Sequence, residues 1–325
     1  MSIIHLDTVF AQTIFTKPVQ DDSFQNVNSS YSSQIIDLSF SLKGGYRVDQ
    51  LDWSIAGYLG DDYFNILSEL IWKDIEIFQV QFDNEILIKD TFYLRGDLKK
   101  GWIYNGANQD TDYNGNDRTN PWSQSENATN DGNIFDFSIS TGYLFKFFNS
   151  RFHLIPLVGY SHNNQYLTIT NGYQTISEPI LDKQIFPAPL GSFPGLDSSY
   201  KTEWTGPWIG LDMAYVWKNL NQLAISIEYH RADYYAKANW NLIKRFKHPK
   251  SFEHIADGNG IIINTNWSTQ FCNGWHSYFD LTYQDWQTGS GVDRTFFSDG
   301  TSAETRLNEV NWKSYAIMCG IAYRF

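Results

Sequence analysis

The sequence predicts an all-β protein, a single antiparallel transmembrane β-barrel of about ten strands. Three observations lead to this prediction. The last sixteen residues alternate between bulky apolar and small side chains and end on Phe325. Aromatic residues make up 17% of a chain whose mean hydropathy is only −0.40. The connections between the predicted strands are short on one side and long on the other, a pattern typical of such barrels.

The alternation is plainest in the closing strand, 310–325. Side chains alternate between the two faces of a strand, so alternate positions share a face. From Tyr315 onward, one face carries the bulky apolar side chains Tyr315, Ile317, Cys319, Ile321, Tyr323 and Phe325. The other face carries mostly small side chains and a single charge, that of Arg324. A chain that ends on such a strand and on a phenylalanine resembles bacterial outer-membrane barrels.

The composition supports the same architecture. A barrel with an apolar outer face, a polar lumen and aromatic girdles is rich in aromatic residues without being hydrophobic on average. A secreted carbohydrate-binding sandwich would also be aromatic-rich, but it does not require connections that alternate in length. No run of 18 apolar residues occurs, which excludes a helical membrane span.

Charge and residue counts exclude several classes of function. The net charge of −12 argues against nucleic acid as a partner. Two cysteines are too few for a disulfide scaffold. None of the seven histidines lies at metal-ligand spacing from another, so neither a metal nor a cofactor is expected. The first 20 residues contain no signal peptide, so an outer-membrane location presumes that one has been removed.

Along the chain, residues 1–33 are expected to form a periplasmic tail and residues 34–325 the barrel. The ten predicted strands are 36–55, 65–82, 86–104, 135–145, 151–169, 209–217, 223–230, 259–271, 275–288 and 310–325. A register shift is predicted within the second strand, because its apolar face changes along it. Asp83 and Asn84 are predicted to form a short turn, and 218–221 another. Long loops are predicted near 105–133, 170–206, 241–258 and 289–309.

Strand number limits what the barrel can do. About eight strands leave a lumen filled by side chains, whereas 16 to 18 leave an aqueous channel. Ten strands are close to the filled end of this range. A general diffusion porin is therefore not expected, although a narrow polar pore stays open as an alternative. Function should reside in the long loops and the upper rim of the barrel.

The long loop at 105–133 contains the main candidate for chemistry, Asp110 and Asp112. Two carboxylates at positions i and i+2 of an extended segment point the same way. Such a pair can share a proton and act as a general base on water. A solvated loop or a weak Ca²⁺ site is the alternative. His230 and Asp233 could form a second, orienting dyad, or His230 could simply face the lumen.

Several segments, taken in order, resemble the omptins, which are ten-stranded outer-membrane endopeptidases. These segments are LSELIW at 67–72, the Asp-x-Asp pair followed by NIFDFSISTGYLF at 133–145, GSFPG at 191–195, WIGL at 208–211, and the final Tyr-x-Phe. The likeness is scattered over about 36–325. It implies an outer-membrane barrel with a peptidase site at its mouth.

The resemblance also implies roles for individual residues. Omptins are understood to use an Asp pair on one wall and an Asp-x-His dyad on the opposite wall, with acidic residues selecting a basic substrate residue. The pair matches Asp110 and Asp112, but the dyad positions hold Asn239 and Asn241. The positions expected to bind substrate fall on Lys237 and, more loosely, on Asp49. Asparagine has no site that accepts a proton near neutral pH. His230, His248 or His254 could supply the missing base instead.

We therefore expect a non-proteolytic surface binding protein of the Gram-negative outer membrane. The alternatives are an omptin-type aspartyl endopeptidase with a rearranged dyad and a narrow transport channel. The expected partners are outer-membrane lipid and an extracellular ligand or peptide. Lipopolysaccharide is a further possible partner, for which the sequence offers only the scattered basic residues Lys244, Arg245 and Lys247.

Overall fold

The computed structural model describes residues 36–180, 187–217 and 221–325. The predicted tail at 1–33 and most of the turn at 218–221 lie outside these ranges. Within them, no helix is long and apolar enough to cross a membrane. The strands are β1 Ile36–Leu59, β2 Asp62–Ile88, β3 Phe92–Tyr113, β4 Pro121–Ala128, β5 Gly132–Tyr143, β6 Phe145–Phe147, β7 Phe152–Ser177, β8 Gly191–Ser192, β9 Asp197–Trp217, β10 Asn221–Asn239, β11 Phe252–Cys272, β12 Trp275–Thr288, β13 Gly291–Phe296 and β14 Ser302–Arg324.

These strands form one closed antiparallel barrel. Each wall strand pairs with its neighbours in sequence, and β1 pairs with β14 to close the ring. Strands β4, β5 and β6 follow one another in a single wall position between β3 and β7. Strand β13 likewise extends the position of β12, between β11 and β14. The described strands thus occupy ten wall positions, which confirms the predicted fold class.

The lower end of the barrel carries the short turns and the upper end the longer connections. The turn predicted at Asp83 and Asn84 is wrong, because β2 continues to Ile88 and turns at residues 89–91, where Lys89 and Asp90 have positive φ. Asp83 instead points into the lumen, where its carboxylate lies 3.0 Å from the ammonium group of Lys43. In a water-soluble protein, a charged residue at this position would indicate a turn. Here Asp83 lies within a strand, because Lys43 supplies its counter-charge in the lumen.

At the upper end, strands continue into the segments predicted to be loops. Strand β3 runs to Tyr113 and returns as β4, and β7 runs to Ser177. Strand β2 has 27 residues. At about 3.3 Å per residue it is far longer than the hydrocarbon core, about 30 Å thick. The walls therefore rise well above the lipid. The register shift predicted for the second strand lies between Lys73 and Glu76.

The outer face carries a belt of exposed aromatic and aliphatic side chains. In the closing strand, Tyr315, Ile317 and Ile321 are exposed, while Ala316 and Met318 face the lumen and are buried. Equivalent outward side chains occur around the ring, including Phe78, Phe82, Leu98, Trp102, Ile139, Val158, Ile209, Ile227, Ile261 and Leu281. This is the surface that a lipid environment requires of a barrel.

The upper lumen is filled by an aromatic plug. We use this name for seven side chains that are at most 3% exposed: Trp53, Trp72, Tyr200, Trp204, Tyr234, Trp286 and Trp312. The rings of Trp286 and Trp312 stack with centroids 5.5 Å apart. The wall makes room for them at Gly260, where a Cβ atom would lie 2.3 Å from the ring of Trp286. The plug closes the lumen to anything as large as a porin substrate.

Directly below the plug lies a buried ionic layer around Arg47. Its guanidinium group donates to both carboxylate oxygens of Asp49, at 2.7 Å each, and to Asp136 at 2.7 Å. It also lies over the ring of Trp312, 5.4 Å from the centroid. Below this layer is a polar cavity of about 160 Å³, which we call the lower chamber; it is lined by residues including Lys43, Arg95 and Arg324.

Arg47→Met should destabilise the barrel strongly, because it leaves the carboxylates of Asp49 and Asp136 buried without a counter-charge. Breaking a buried ion pair from one side typically costs about 3 to 5 kcal/mol. Urea unfolding of the refolded barrel in detergent micelles measures the loss. The triple variant Arg47→Met, Asp49→Asn, Asp136→Asn should recover most of it. A loss that persists in the triple variant would show that packing on Trp312, rather than charge, accounts for the effect.

Candidate functional site

The candidate site lies at the mouth of the barrel, on the upper part of β3. Asp110 and Asp112 are half-buried and point to the lumen side, together with the buried Asn108. Their partners on β2 are Leu70 and Ser68. The strand continues beyond the belt of exposed apolar residues that ends on β3 with Trp102 and Tyr104. The two carboxyl groups therefore stand above the lipid, directly above the aromatic plug.

The loop between β10 and β11, residues 240–251, reaches the Asp pair from the opposite side of the mouth. The side chain of Trp240 hydrogen-bonds to Asp110. The positive charge of Arg245 acts on Asp112, which also hydrogen-bonds to Ser68. The pair is thus enclosed by an aromatic donor and a cationic side chain of the chain itself.

Both carboxyl groups of the pair hold protons more tightly than an ordinary aspartate. Burial raises the pKa of Asp112 to about 6, against the opposing effects of Ser68 and Arg245. Burial and the negative charge of Asp112 raise the pKa of Asp110 well above its usual range. At neutral pH the pair is therefore able to share a proton, which is the state in which two carboxyls can activate water.

The two asparagines at the dyad positions have structural partners. The Oδ1 atom of Asn239 lies 2.8 Å from Nδ1 of His248. Asn241 accepts from the backbone N–H of Asp197 and donates to the carbonyl oxygen of Gly195, at 2.7 Å. Asn241 thereby fastens the β10–β11 loop to the connection that contains the GSFPG segment. Neither amide can act as a base, and both are held by other groups.

Asp49 and Lys237 do not lie beside the Asp pair. Asp49 is fully buried in the ionic layer with Arg47, below the plug. Lys237 is exposed on the outer face of β10, between the inward-facing Ala236 and Ala238. Side chains at odd-numbered positions of β10 point outward, so the direction of Lys237 follows from strand alternation. The structure thus brings together Asp110 and Asp112 from the predicted site, and it separates the two predicted substrate-binding residues from them.

The His230–Asp233 dyad considered from the sequence does not form. His230 is buried in the lumen, with Nδ1 3.0 Å from the hydroxyl of Ser161 and Nε2 3.0 Å from Glu228. Asp233 is exposed on the outer face. Residues three apart on a strand point to opposite faces, which prevents their contact.

A histidine–carboxylate pair does exist on the wall opposite the Asp pair. His254 on β11 lies directly across from Asp293 on β13. Its Nε2 atom is 3.1 Å from Oδ1 of Asp293 but forms no hydrogen bond with it. Its Nδ1 atom is 2.8 Å from the hydroxyl of Tyr200. Strands β3 and β11 are five positions apart in a ring of ten, and so lie on opposite walls.

This pair is sealed inside the plug. His254 is fully buried, with ring centroids of Trp53 and Phe252 at 4.8 and 5.2 Å. The sequence drew attention to His254 but not to Asp293, which lies 39 positions later in the chain and becomes its neighbour only through strand register. Both residues fall in segments predicted to be loops, so the sequence contains no signal that they are neighbours.

Comparison with known proteins identifies the family. Residues 41–325 match a family described as Pom, Protochlamydia outer membrane protein. The chain belongs to this family. It is an outer-membrane protein, and the long connections at its upper end are on the extracellular side. No curated protein matches the sequence.

Solved structures place the fold beside the omptins. The outer membrane protease OmpT of Escherichia coli is similar with a TM-score of 0.67 and 16% identity, over 92% of this chain and 99% of that one. Two other outer-membrane proteins are much less similar. The translocator domain of autotransporter NalP from Neisseria meningitidis has a TM-score of 0.37 and 7% identity, over 91% of this chain and 90% of that one. OprG from Pseudomonas aeruginosa has a TM-score of 0.32 and 10% identity, over 88% of this chain and 95% of that one. At this identity, the likeness to OmpT shows a shared fold.

Asp110→Asn should stabilise the barrel at neutral pH, because it removes one of two carboxyl groups that compete for ionisation. The raised pKa values mean that the folded protein keeps protons which the unfolded chain has released above about pH 4. Stability is therefore lost as the pH rises from about 4 through about 6. Urea unfolding should show a gain of about 1 kcal/mol at pH 8 and none at pH 4.

Asp61→Asn, at the exposed tip of the β1–β2 hairpin, is the matched control and should change stability at neither pH. An equal gain at pH 4 and pH 8 for Asp110→Asn would contradict the raised pKa values of the pair.

Proposed function

We propose that this outer-membrane barrel is a surface binding protein that holds a basic side chain of an extracellular peptide at its mouth without cleaving the peptide. One observation carries the proposal. The Asp pair lies at the mouth, directly above the plug. Asn239 and Asn241, at the predicted dyad positions, are bonded to other groups. His254 is buried and hydrogen-bonded to Tyr200. The mouth thus presents two carboxyl groups without the Asp-x-His dyad that the predicted peptidase site requires.

The chemistry of the mouth suits a cation. Two adjacent carboxyl groups favour an ammonium or guanidinium group, and such charge-assisted hydrogen bonds are among the stronger ones available. Arg245 already places a guanidinium near Asp112, which supports this preference. An incoming arginine or lysine would compete with Arg245 for the pair, while Trp240 would stay bonded to Asp110.

The test combines cleavage and binding with one peptide. A fluorogenic dibasic peptide is added to the refolded barrel with lipopolysaccharide, and binding is followed by fluorescence anisotropy. We expect no turnover, and binding that weakens about tenfold in the double variant Asp110→Asn, Asp112→Asn. Binding should strengthen as the pH rises through about 6, because Asp112 ionises there. Asp61→Asn is the control. Binding that is indifferent to the double variant would overturn the proposal.

A peptidase is the second candidate, favoured by the position of His254 and Asp293 on the wall opposite Asp112. It requires the plug to open so that water reaches the imidazole. If the same assay shows turnover, the rate should fall at least a hundredfold in both Asp110→Asn and His254→Gln. His248→Gln, which alters the exposed histidine beside Asn239, should leave it unchanged. Turnover that survives His254→Gln would remove this candidate.

A narrow channel is the third candidate. The polar lower chamber favours it, and the plug opposes it. Recordings in planar bilayers should show at most a small single-channel conductance for the wild-type barrel. The double variant Trp286→Ala, Trp312→Ala should conduct several times more, because it removes the two stacked rings that close the lumen. A wild-type conductance as large as that of an open porin would contradict the closed lumen.

A further inference from the structure

The lower chamber is separate from the mouth and has a composition of its own. It lies beneath Arg47 and extends toward the lower end, where Gln222 and Arg324 line it. Its volume is about 160 Å³. A water molecule occupies about 30 Å³ of liquid, so the chamber holds several waters or one small organic molecule.

The chamber carries an excess of negative charge. Among the described residues that line it, four are cationic, namely Lys43, Arg95, Lys99 and Arg324, and six are acidic, namely Asp83, Glu85, Asp97, Asp212, Glu228 and Asp280. Lys43 contacts Asp83 and Asp280, and Arg95 contacts Asp212 and Glu228. With the lining histidines His153 and His230 counted as neutral, the lining has a formal charge of −2. Uncompensated charge inside a membrane-spanning barrel is costly, so a cation is favoured there.

Buried acceptor atoms in the chamber point to a ligand that donates hydrogen bonds. Oε1 of Gln222 has no hydrogen-bond partner among the described residues. Glu85 bonds to Tyr93, and Asp212 bonds to Arg95 and Ser226, but one oxygen of each carboxylate can accept a further hydrogen bond. Gln222 is only 4% exposed and lines the chamber. One buried donor, Nδ2 of Asn163, also has no partner. Buried polar atoms of native proteins are almost always satisfied, so a bound molecule is expected to meet these acceptors.

The spacing of these acceptors selects the kind of cation. Within the described chain, no three His, Cys, Asp or Glu side chains stand close enough together to hold a metal ion. Glu85 is on β2 and Asp212 on β9, which are four wall positions apart. Separated anionic acceptors fit a ligand whose positive N–H donors are also separated. Ile155, Ala214 and Ala224 line the same chamber and could contact a hydrocarbon chain between those donors.

We propose that the lower chamber binds a linear alkyl diamine, with its two ammonium groups distributed among the acceptors Glu85, Asp212 and Gln222. Two ammonium groups supply the two missing positive charges and several N–H donors, and the methylene chain contacts the apolar part of the lining. This site is independent of the Asp pair at the mouth.

The experiment is calorimetric titration of 1,4-diaminobutane into the purified full-length barrel in detergent micelles at fixed ionic strength. Saturable one-to-one binding is expected. The dissociation constant should rise at least tenfold in Glu85→Gln, because an ammonium loses its charged acceptor, and a few-fold in Gln222→Met. 1-Aminobutane should bind more weakly, and the uncharged 1,4-butanediol should not bind.

Asp61→Asn, an exposed extracellular carboxylate far from the chamber, is the control and should bind like the wild type. Variants are compared only where they show the heat-dependent gel mobility of a folded barrel, and the diol comparison tests the proposal on unaltered protein. Absence of saturable binding to the wild type, equal binding of diol and diamine, or unchanged affinity in both chamber variants would each overturn the proposal.

Discussion

The interior of this barrel depends on one fully buried guanidinium group. Arg47 joins Asp49 and Asp136 across the lumen and supports the ring of Trp312. Above it the lumen is aromatic and dry, and below it the lumen is polar and charged. A buried arginine is stable only when its counter-charges and hydrogen-bond partners are in place, so strands β1 and β5 have to keep their relative positions. The arrangement of both layers follows from that constraint.

The mouth combines two carboxyl groups that have raised pKa values with two asparagines at the positions predicted for a dyad. Burial and mutual repulsion raise the pKa values of the Asp pair, and the side chains that reach the pair are those of Trp240 and Arg245. Asn239 and Asn241 are bonded to other groups. The nearest histidine–carboxylate pair lies lower, inside the plug. Water activation needs carboxyls and a base around one accessible water, whereas binding of a cation needs only the carboxyls. The proposed binding function therefore needs only the carboxyl groups that the structure brings together.

The sequence predicted the closed antiparallel barrel because alternation and aromatic content are local signals that lipid imposes on every strand. It misplaced the turn at Asp83 because the counter-charge, Lys43, lies on another strand.

The sequence predicted loops in place of the upper walls, because strands exposed on both faces lose the alternation of apolar and polar side chains. It misassigned Lys237 and Asp233 because the seventh strand was predicted to end at 230, whereas β10 continues to Asn239 and its parity turns both side chains outward. The meeting of Trp240 with Asp110, and of His254 with Asp293, depends on register between distant segments, which a single sequence does not reveal.

The closure of the ring between β1 and β14 has a consequence for biogenesis. Trp312, which stacks on Trp286 and supports Arg47, belongs to β14, the strand that closes the ring against β1. The ionic layer and the plug therefore cannot be completed until the carboxyl-terminal strand has joined the first one. Contacts between residues this far apart in sequence form late and slowly. An unfinished barrel would expose a lumen of unpaired charges and unstacked tryptophans, a surface that chaperones and proteases of the periplasm can distinguish from the finished molecule.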